Sequence, residues 1–388
     1  VIRRPVLALG TAAAVLMVGV AVGQATRGSA RDDAVPATTS VPVIGATAVC
    51  PDLRQAPGQL ASRVSAGAAP LLAGGSGSGT LAVAPLTATT PPTQLPITKP
   101  GQVASGLGTT VNGDALVVEA RGELAAGLEV EQLTRAESGV DRGLAGQRCA
   151  APSTDLWFYG GGTIVGQDAT LVLVNADPTD ALVDVQVLTY DGPADVRPGR
   201  GIVVPGRSRS TIDLSTIAPN RDGLVTHVTA TRGRVAAGVL THRFDGAVPK
   251  GVEWAAPAGP PATDQVVPGL PAGPGGRALV VGNPGPASAT VQVQLTTGEG
   301  QFVPDGLDAV EVPPGRTVPV DLSALLATTP AAVSIRSDQP VVAGAAVFDG
   351  GANGVEELAL AGPAAALSGP AELTDLTVDR PTGLDAVE

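Results

Sequence analysis

Aromatic side chains are scarce in this chain. Its 388 residues include two Trp, two Tyr and four Phe, so a core has to be built from Val, Leu, Ala and Ile. Lysine is nearly missing: Lys99 and Lys250 are the only two, and every other basic residue is Arg. An internal Lys–Asn isopeptide cross-link therefore has almost nothing to draw on. With two His and two Cys, too few ligands remain for a zinc site. Acids outnumber bases by 36 to 24, for a net charge of −12. No basic stripe is present to displace counterions from phosphates, which argues against a nucleic-acid partner. There is no Walker loop or dinucleotide fingerprint, no EF-hand-type calcium loop and no G-x-S-x-G nucleophile elbow. No cofactor is implied.

Gly (51) and Pro (35) are abundant beside Val, a composition that favours strands joined by short turns over helices. Arg3 and Arg4 precede PVLALGTAAAVLMVGVAVG, an uncharged run from Pro5 to Gly23. Nineteen such residues can just cross the hydrocarbon core as a helix. The flanking arginines predict a single pass with the N-terminus inside. The other reading is a cleaved signal peptide, for which Ala21-Val22-Gly23 and Gly23-Gln24-Ala25 offer small residues. Either way residues 26–388 are exported. Residues 26–48 read as a polar, Pro-containing tether. Outside the membrane, Cys50 and Cys149 are expected to pair as a disulfide.

One phrase recurs. RGELAAGL (Arg121–Leu128), RGRVAAGV (Arg232–Val239) and DQPVVAGA (Asp338–Ala345) stand at nearly equal intervals along the chain. Their flanks recur in the same order. LVLVNADP then ALVDVQVL (Leu171–Leu188) matches ALVVGNPG then ATVQVQLT (Ala278–Thr296). The interval from Asn175 to Asn283 equals that from Val183 to Val291, so the register holds across the turn without an insertion. IVVPGR at Ile202–Arg207 matches VPPGR at Val312–Arg316, and TKPGQ at Thr98–Gln102 is the counterpart in the first repeat. STIDLS (Ser210–Ser215) matches VPVDLS (Val318–Ser323). Alternation such as Val183, Val185, Val187 against Asp184 and Gln186 marks half-buried strands. The second repeat accommodates seven strands, near 157–159, 171–174, 183–188, 202–204, 210–214, 224–231 and 234–241. About seven strands per hundred residues is the pattern of an immunoglobulin-like β-sandwich. The recurring phrase reads as the last hairpin of each sandwich, turning at Arg232-Gly233 with His227 opposite Gly238. The third repeat has Asp338-Gln339 before Pro340, so its turn must differ.

The expected organisation is a cytoplasmic stub and transmembrane anchor over 1–25 and a linker over 26–48. Three tandem β-sandwiches follow, over 49–150 (degenerate, with the disulfide and a flexible GGSGSG loop at Gly74–Gly79), 151–250 and 251–362. An acidic disordered tail covers 363–388. The order WFYGGGT (Trp157–Thr163), LVN, VPGRSR (Val204–Arg209), RVAAGV resembles the β-repeat of bacterial surface proteins. The whole layout resembles an actinobacterial domain-of-unknown-function family, number fifty-seven nineteen. That resemblance covers most of Cys50 to Gly362. It implies an exported envelope protein and carries over no catalytic residue. The third repeat departs from it, with Gln265–Leu270 where the Trp-Phe-Tyr cluster should stand.

For chemistry, His227 and His242 read as strand-surface residues without a triad around them. Asp177 and Asp180 flank Pro178 as turn formers. Arg232, Arg234 and Arg243 are expected along one edge of the second repeat. Trp157, Phe158 and Tyr159, beside three glycines, are candidates for stacking on a glycan or anchoring a partner; the competing reading packs them in the core or between repeats. The function expected is that of a membrane-anchored, extracytoplasmic, non-enzymatic interaction or scaffold protein of the cell envelope. A glycan-binding protein assisting envelope polysaccharide assembly or export is the first alternative, and a hydrolase with an unrecognised site the second.

Overall fold

The computed structural model describes residues 43–51, 60–69, 78–106, 114–195, 197–350 and 356–364. The expected anchor at 5–23, most of the tether, the first four residues of GGSGSG and the tail beyond Ala364 lie outside the described residues. Among the described residues no helix is long and apolar enough to cross a membrane. The described residues belong to one compact all-β unit.

Eight strands build the first module: β1 (Gly45–Cys50), β2 (Leu60–Ala68), β3 (Gly79–Pro85), β4 (Thr93–Gln94), β5 (Val103–Ala104), β6 (Leu116–Gly122), β7 (Leu128–Ala136) and β8 (Gly143–Arg148). They form two antiparallel sheets, ordered β1-β6-β3-β4 and β5-β2-β7-β8. The second module has β9 (Asp155–Tyr159), β10 (Gln167–Asn175), β11 (Ala181–Thr189), β12 (Gly192–Pro193), β13 (Ile202–Val204), β14 (Ser208–Asp213), β15 (Val225–Arg232), β16 (Ala236–Asp245) and β17 (Val248–Ala255). Its sheets run β9-β15-β11-β12 and β14-β10-β16-β17, with β13 added on β11. With β9 set against β1, and β13 left aside, the two modules agree strand for strand.

The third module has β18 (Ala262–Leu270), β19 (Gly275–Gly282), β20 (Ala289–Thr297), β21 (Gly300–Phe302), β22 (Val310–Val312), β23 (Thr317–Asp321), β24 (Ala331–Asp349) and β25 (Glu357–Ala361). The first half of β24 lies between β18 and β20, and its second half between β19 and β25. Strand β24 thus does in one piece what β15 and β16 do in two. Two expected boundaries move. Strand β1 begins inside the expected linker, and β17, paired to β16 as far as Ala255, carries the second module past residue 250.

This order overturns the terminal hairpin and, with it, the immunoglobulin-like topology. In an immunoglobulin sandwich the last two strands are neighbours in one sheet. Here β15 pairs β11 and β9, whereas β16 pairs β10 and β17. The recurring phrase is therefore a corner at which the chain leaves one sheet for the other. Gly233 makes that corner at φ +72°, and a Cβ on it would stand 3.1 Å from Ala181. Gly122 does the same in the first module at φ +65°. Over Asp338–Pro340 the third module makes no turn, because β24 continues straight through.

Each module encloses its own apolar cluster, drawn from both sheets. In the second, Val183, Val185 and Val187 are buried against Leu171, Leu173 and Val239 of the opposite sheet. The Asn common to the second and third repeats proves to be a buried clip. Asn175 Nδ2 donates to Thr179 O (2.8 Å) and Val204 O (3.0 Å), and its Oδ1 accepts from Asp177 N (3.1 Å). Asn283 repeats this with Ala287 O, Val312 O and Gly285 N at 2.7, 2.9 and 2.9 Å. The side chain replaces ladder bonds where the chain turns between strands, and both residues are fully buried. Asn175→Ala and Asn283→Ala should each cost roughly 1–3 kcal/mol by stranding those backbone groups. Urea unfolding should give similar losses for the two; unequal losses would break the equivalence.

Candidate functional site

The modules meet at several places, among them Thr189 bridged to Arg316, and the recurring phrase and its neighbours build two of these joints. The phrase glycines act as sockets. A Cβ on Gly238 of the second module would stand 2.9 Å from Gln147 Oε1 of the first and 3.0 Å from the Trp254 ring. A Cβ on Gly344 of the third module would stand 1.9 Å from Tyr159 Cδ2 of the second. In each case the preceding module inserts a side chain against the glycine: at Gly344 the Tyr159 ring leaves no room for a Cβ, and at Gly238 a Cβ would have to displace the end of Gln147. Gly344→Ala should therefore push Tyr159 out of its seat and cost about 1–3 kcal/mol or more through overpacking. A lowered urea midpoint would report it, and an unchanged midpoint would mean that the socket is not needed.

The Trp157–Tyr159 cluster belongs to this packing. Trp157, Phe158 and Tyr159 are 6 %, 1 % and 3 % exposed. Phe158 lies in the core of the second module. Trp157 and Tyr159 join Leu188, Val225, Val280 and Val342 in an apolar cluster shared by the second and third modules. No ring of the trio presents an open face to a sugar. Their alternation in β9 puts Phe158 on one side and its neighbours on the other, and Gly344 and Gly362 receive the Tyr159 ring. Burial, and next the facing Glu253, hold the Tyr159 phenol well above its usual range.

Of the histidines, expected on the strand surface, His242 is buried and His227 is half-buried. His227 stacks on Trp157, with ring centroids 3.7 Å apart, and its Nε2 lies 3.0 Å from Asp155 Oδ1. Burial lowers its pKa, against the opposing pull of Asp155. His242 is buried, and its Nε2 lies 2.7 Å from Asp141 Oδ1 of the first module. The three arginines are also dispersed rather than aligned on one edge. Arg234 forms a two-point pair with Asp177 (2.9 and 3.1 Å), which holds that carboxyl below its usual range. Arg243 lies over the Phe348 ring at 4.1 Å, and Arg232 is exposed.

At the second joint, strand β17 meets β8 of the first module and β25 of the third. Glu253 is its centre. Its Oε1 accepts from Gly146 N (2.7 Å) and from Trp254 N (2.8 Å). Burial nevertheless pushes its pKa up to about 8, with the Glu357 charge adding to the rise. Glu357 is raised as well, by burial first, and its Oε2 is buried without a hydrogen-bond partner. Around the pair, Arg142 Nη2 donates to Pro249 O (3.0 Å) and Lys250 pairs with Glu356. Sequence reasoning missed Glu253. A carboxylate between Val252 and Trp254 in an apolar strand was the available signal, and the boundary set at residue 250 cut it off from the strand it pairs with.

A cleft of ≈ 200 Å³ opens between the second and third modules. The second module lines it with Gln167, Tyr190, Asp222, Thr241 and Arg243. The third contributes Val280, Pro319, Phe348, Leu358 and Leu360. Among the described residues no group of three or more His, Cys, Asp or Glu side chains could hold a metal ion. Cys50 and Cys149 are joined by a disulfide, with Cα atoms 4.6 Å apart.

Three all-β modules of one topology, locked by buried joints and carrying one disulfide, define the class of protein. The family of unknown function DUF5719 matches residues 102–382, and the chain belongs to that family. Among solved structures, "Crystal Structure of Thermotoga maritima 1070" is 20 % identical, with 27 % of this chain and 96 % of that one covered at a TM-score of 0.24. The Streptomyces avermitilis α-L-rhamnosidase complexed with L-rhamnose is 12 % identical, with 80 % of this chain and 44 % of that one covered at a TM-score of 0.18. At such scores neither likeness bears on function. No curated protein matches the chain.

Proposed function

We propose that this protein is a non-enzymatic interaction or scaffold module of the cell envelope. In this reading it is anchored in the membrane by residues 5–23 and carries its three modules outside. The buried joints are the observation that supports the reading most. Side chains seated at Gly238 and Gly344, and a carboxyl buried at Glu253, fix the modules against one another. Such fixing serves a protein that presents surfaces from several modules to partners at a set spacing. The disulfide supports export, because oxidising compartments are where such bonds persist. The glycan alternative loses the Trp157–Tyr159 cluster as its basis.

The test is to immobilise residues 26–388, with the disulfide oxidised, and expose them to detergent-solubilised envelope proteins. Defined membrane proteins should be retained by the wild type and lost by Gly344→Ala, which disturbs a joint and leaves the outer surface unaltered. Turnover of an ester, peptide or glycoside substrate by the purified chain, abolished by a point substitution, would overturn the reading.

A further inference from the structure

We propose that the cleft between the second and third modules binds a single neutral sugar ring. The proposal rests on the cleft alone and stands whether or not the scaffold reading holds. Its volume of ≈ 200 Å³ is the space of about seven liquid waters, comparable with one pyranose. Its two sides differ in chemistry. The third module offers carbon, chiefly Val280, Phe348, Leu358 and Leu360. The second offers a carboxylate (Asp222), an amide (Gln167), a guanidinium (Arg243) and a hydroxyl (Thr241).

That set of groups selects among ligands. An anion would meet Asp222 and a cation would meet Arg243. A purely apolar group would leave the Thr241 hydroxyl unmatched and would strip water from Asp222 and Arg243. Hydroxyl groups donate and accept together, so a ligand with several of them along one edge and C–H bonds on its face satisfies both sides. The groups are held ready for it. Gln167 Nε2 donates to Asp222 Oδ2 (3.3 Å), and Gly223 N donates to Oδ1 (2.8 Å). Arg243 is braced on Phe348 at 4.1 Å. Tyr190 at the rim is braced by Arg221, 5.5 Å from its ring centroid and paired with Asp191 at 3.0 Å.

Thr241 supplies the independent sign of a ligand. It is 3 % exposed, and its Oγ1 has no hydrogen-bond partner. Its strand partners alternate with it: Ala237 and Val239 on its face enter the core of the second module, and Thr241 continues that face to the cleft. Gly161, at φ +82°, leaves the space beside the hydroxyl open, since a Cβ there would stand 3.0 Å from Oγ1. An unpaired buried hydroxyl is a standing penalty in the free protein, and a ligand hydroxyl would remove it.

The experiment is ligand-observed saturation-transfer NMR on oxidised residues 26–388. The probes are D-glucose, D-galactose, D-mannose and D-xylose, with N-acetyl-tyrosinamide as the rival occupant. At least one sugar should receive saturation from the wild type. Thr241→Val and Tyr190→Ala should each weaken it about tenfold, which is about 1.4 kcal/mol, while Phe302→Ser on the outer edge leaves it unchanged. Thr241→Val should also keep or raise the unfolding midpoint, because it deletes an unpaired hydroxyl. The proposal is overturned if no sugar receives saturation, or if transfer survives both cleft substitutions. It is equally overturned if only the tyrosine amide binds and the same variants abolish that binding, which would make the cleft a seat for a partner's side chain.

Discussion

Between about pH 4.5 and 8 the wild-type protein should lose stability steadily, and Glu253→Gln should lose far less. The interval is set by the ordinary carboxyl pKa of 4.5 and the raised value of about 8 in the fold. In that window the folded protein keeps the Glu253 proton and the unfolded chain does not. Fewer protons on the unfolded state mean that stability falls as pH rises. The contribution is complete below pH 4.5 and gone above 8. A difference of this size corresponds to roughly 5 kcal/mol. Glutamine keeps an oxygen that can accept from Gly146 N and Trp254 N, and it does not ionise. Glu357, raised in the same direction, adds to the fall in both proteins, and His227, lowered by burial, opposes it below its ordinary pKa of 6.5 in both, so the difference between wild type and variant isolates Glu253. Urea unfolding at half-unit pH steps gives the answer. Parallel slopes for wild type and variant would show that Glu253 ionises freely and that the joint is open to water.

Loss of the disulfide should cost about as much. The bond closes a sequence separation of 99 residues, and constraining a loop of about 100 residues in the unfolded chain is worth about 4–5 kcal/mol. The Cys50→Ala, Cys149→Ala double variant should lower stability by that amount. Reduction of the wild type should do the same without altering the packing residues. The joint makes the damage spread, since Gly146 of β8 donates to Glu253 of β17. The pH slope should therefore weaken in the reduced protein as Glu253 gains water. An unchanged unfolding midpoint on reduction would mean that the sheets and the joint hold the first module unaided.

Much of the strand order was legible because repetition fixes register. Asn175 and Asn283 share a spacing with the strands that follow them, and the structure gives them the same three hydrogen bonds. The strands expected near 171–174, 183–188 and 202–204 are β10, β11 and β13. The sheet assignment was not legible. A Gly between two extended runs signals a tight hairpin, yet the same residue serves a corner between sheets, and alternation along each run is identical in both cases. The spacing itself held a clue. The interval from Val239 to Ala345 is slightly shorter than that from Asn175 to Asn283, and the strand registers put one dropped residue ahead of β24 and one across the corner. A strand running straight through needs fewer residues than a turn, as β24 shows. The site was less legible still. Glu253 and Thr241 matter through what other modules place around them, and no local pattern marks that.

The disulfide has a mechanical consequence. Cys50 ends β1, and Cys149 directly follows β8, so the covalent line from the start of the first module to the start of the second runs through sulfur. Val49 N donates to Ala150 O across the same gap at 2.9 Å. A pull applied along the chain from the Val43 side would pass from Cys50 to Cys149 and on into β9. Of the first module only β1, held to β6 from Gly45 to Cys50, lies on that line. The strands between the two cysteines hang beside the load path, and β8 keeps its grip on Glu253 while β1 is under tension.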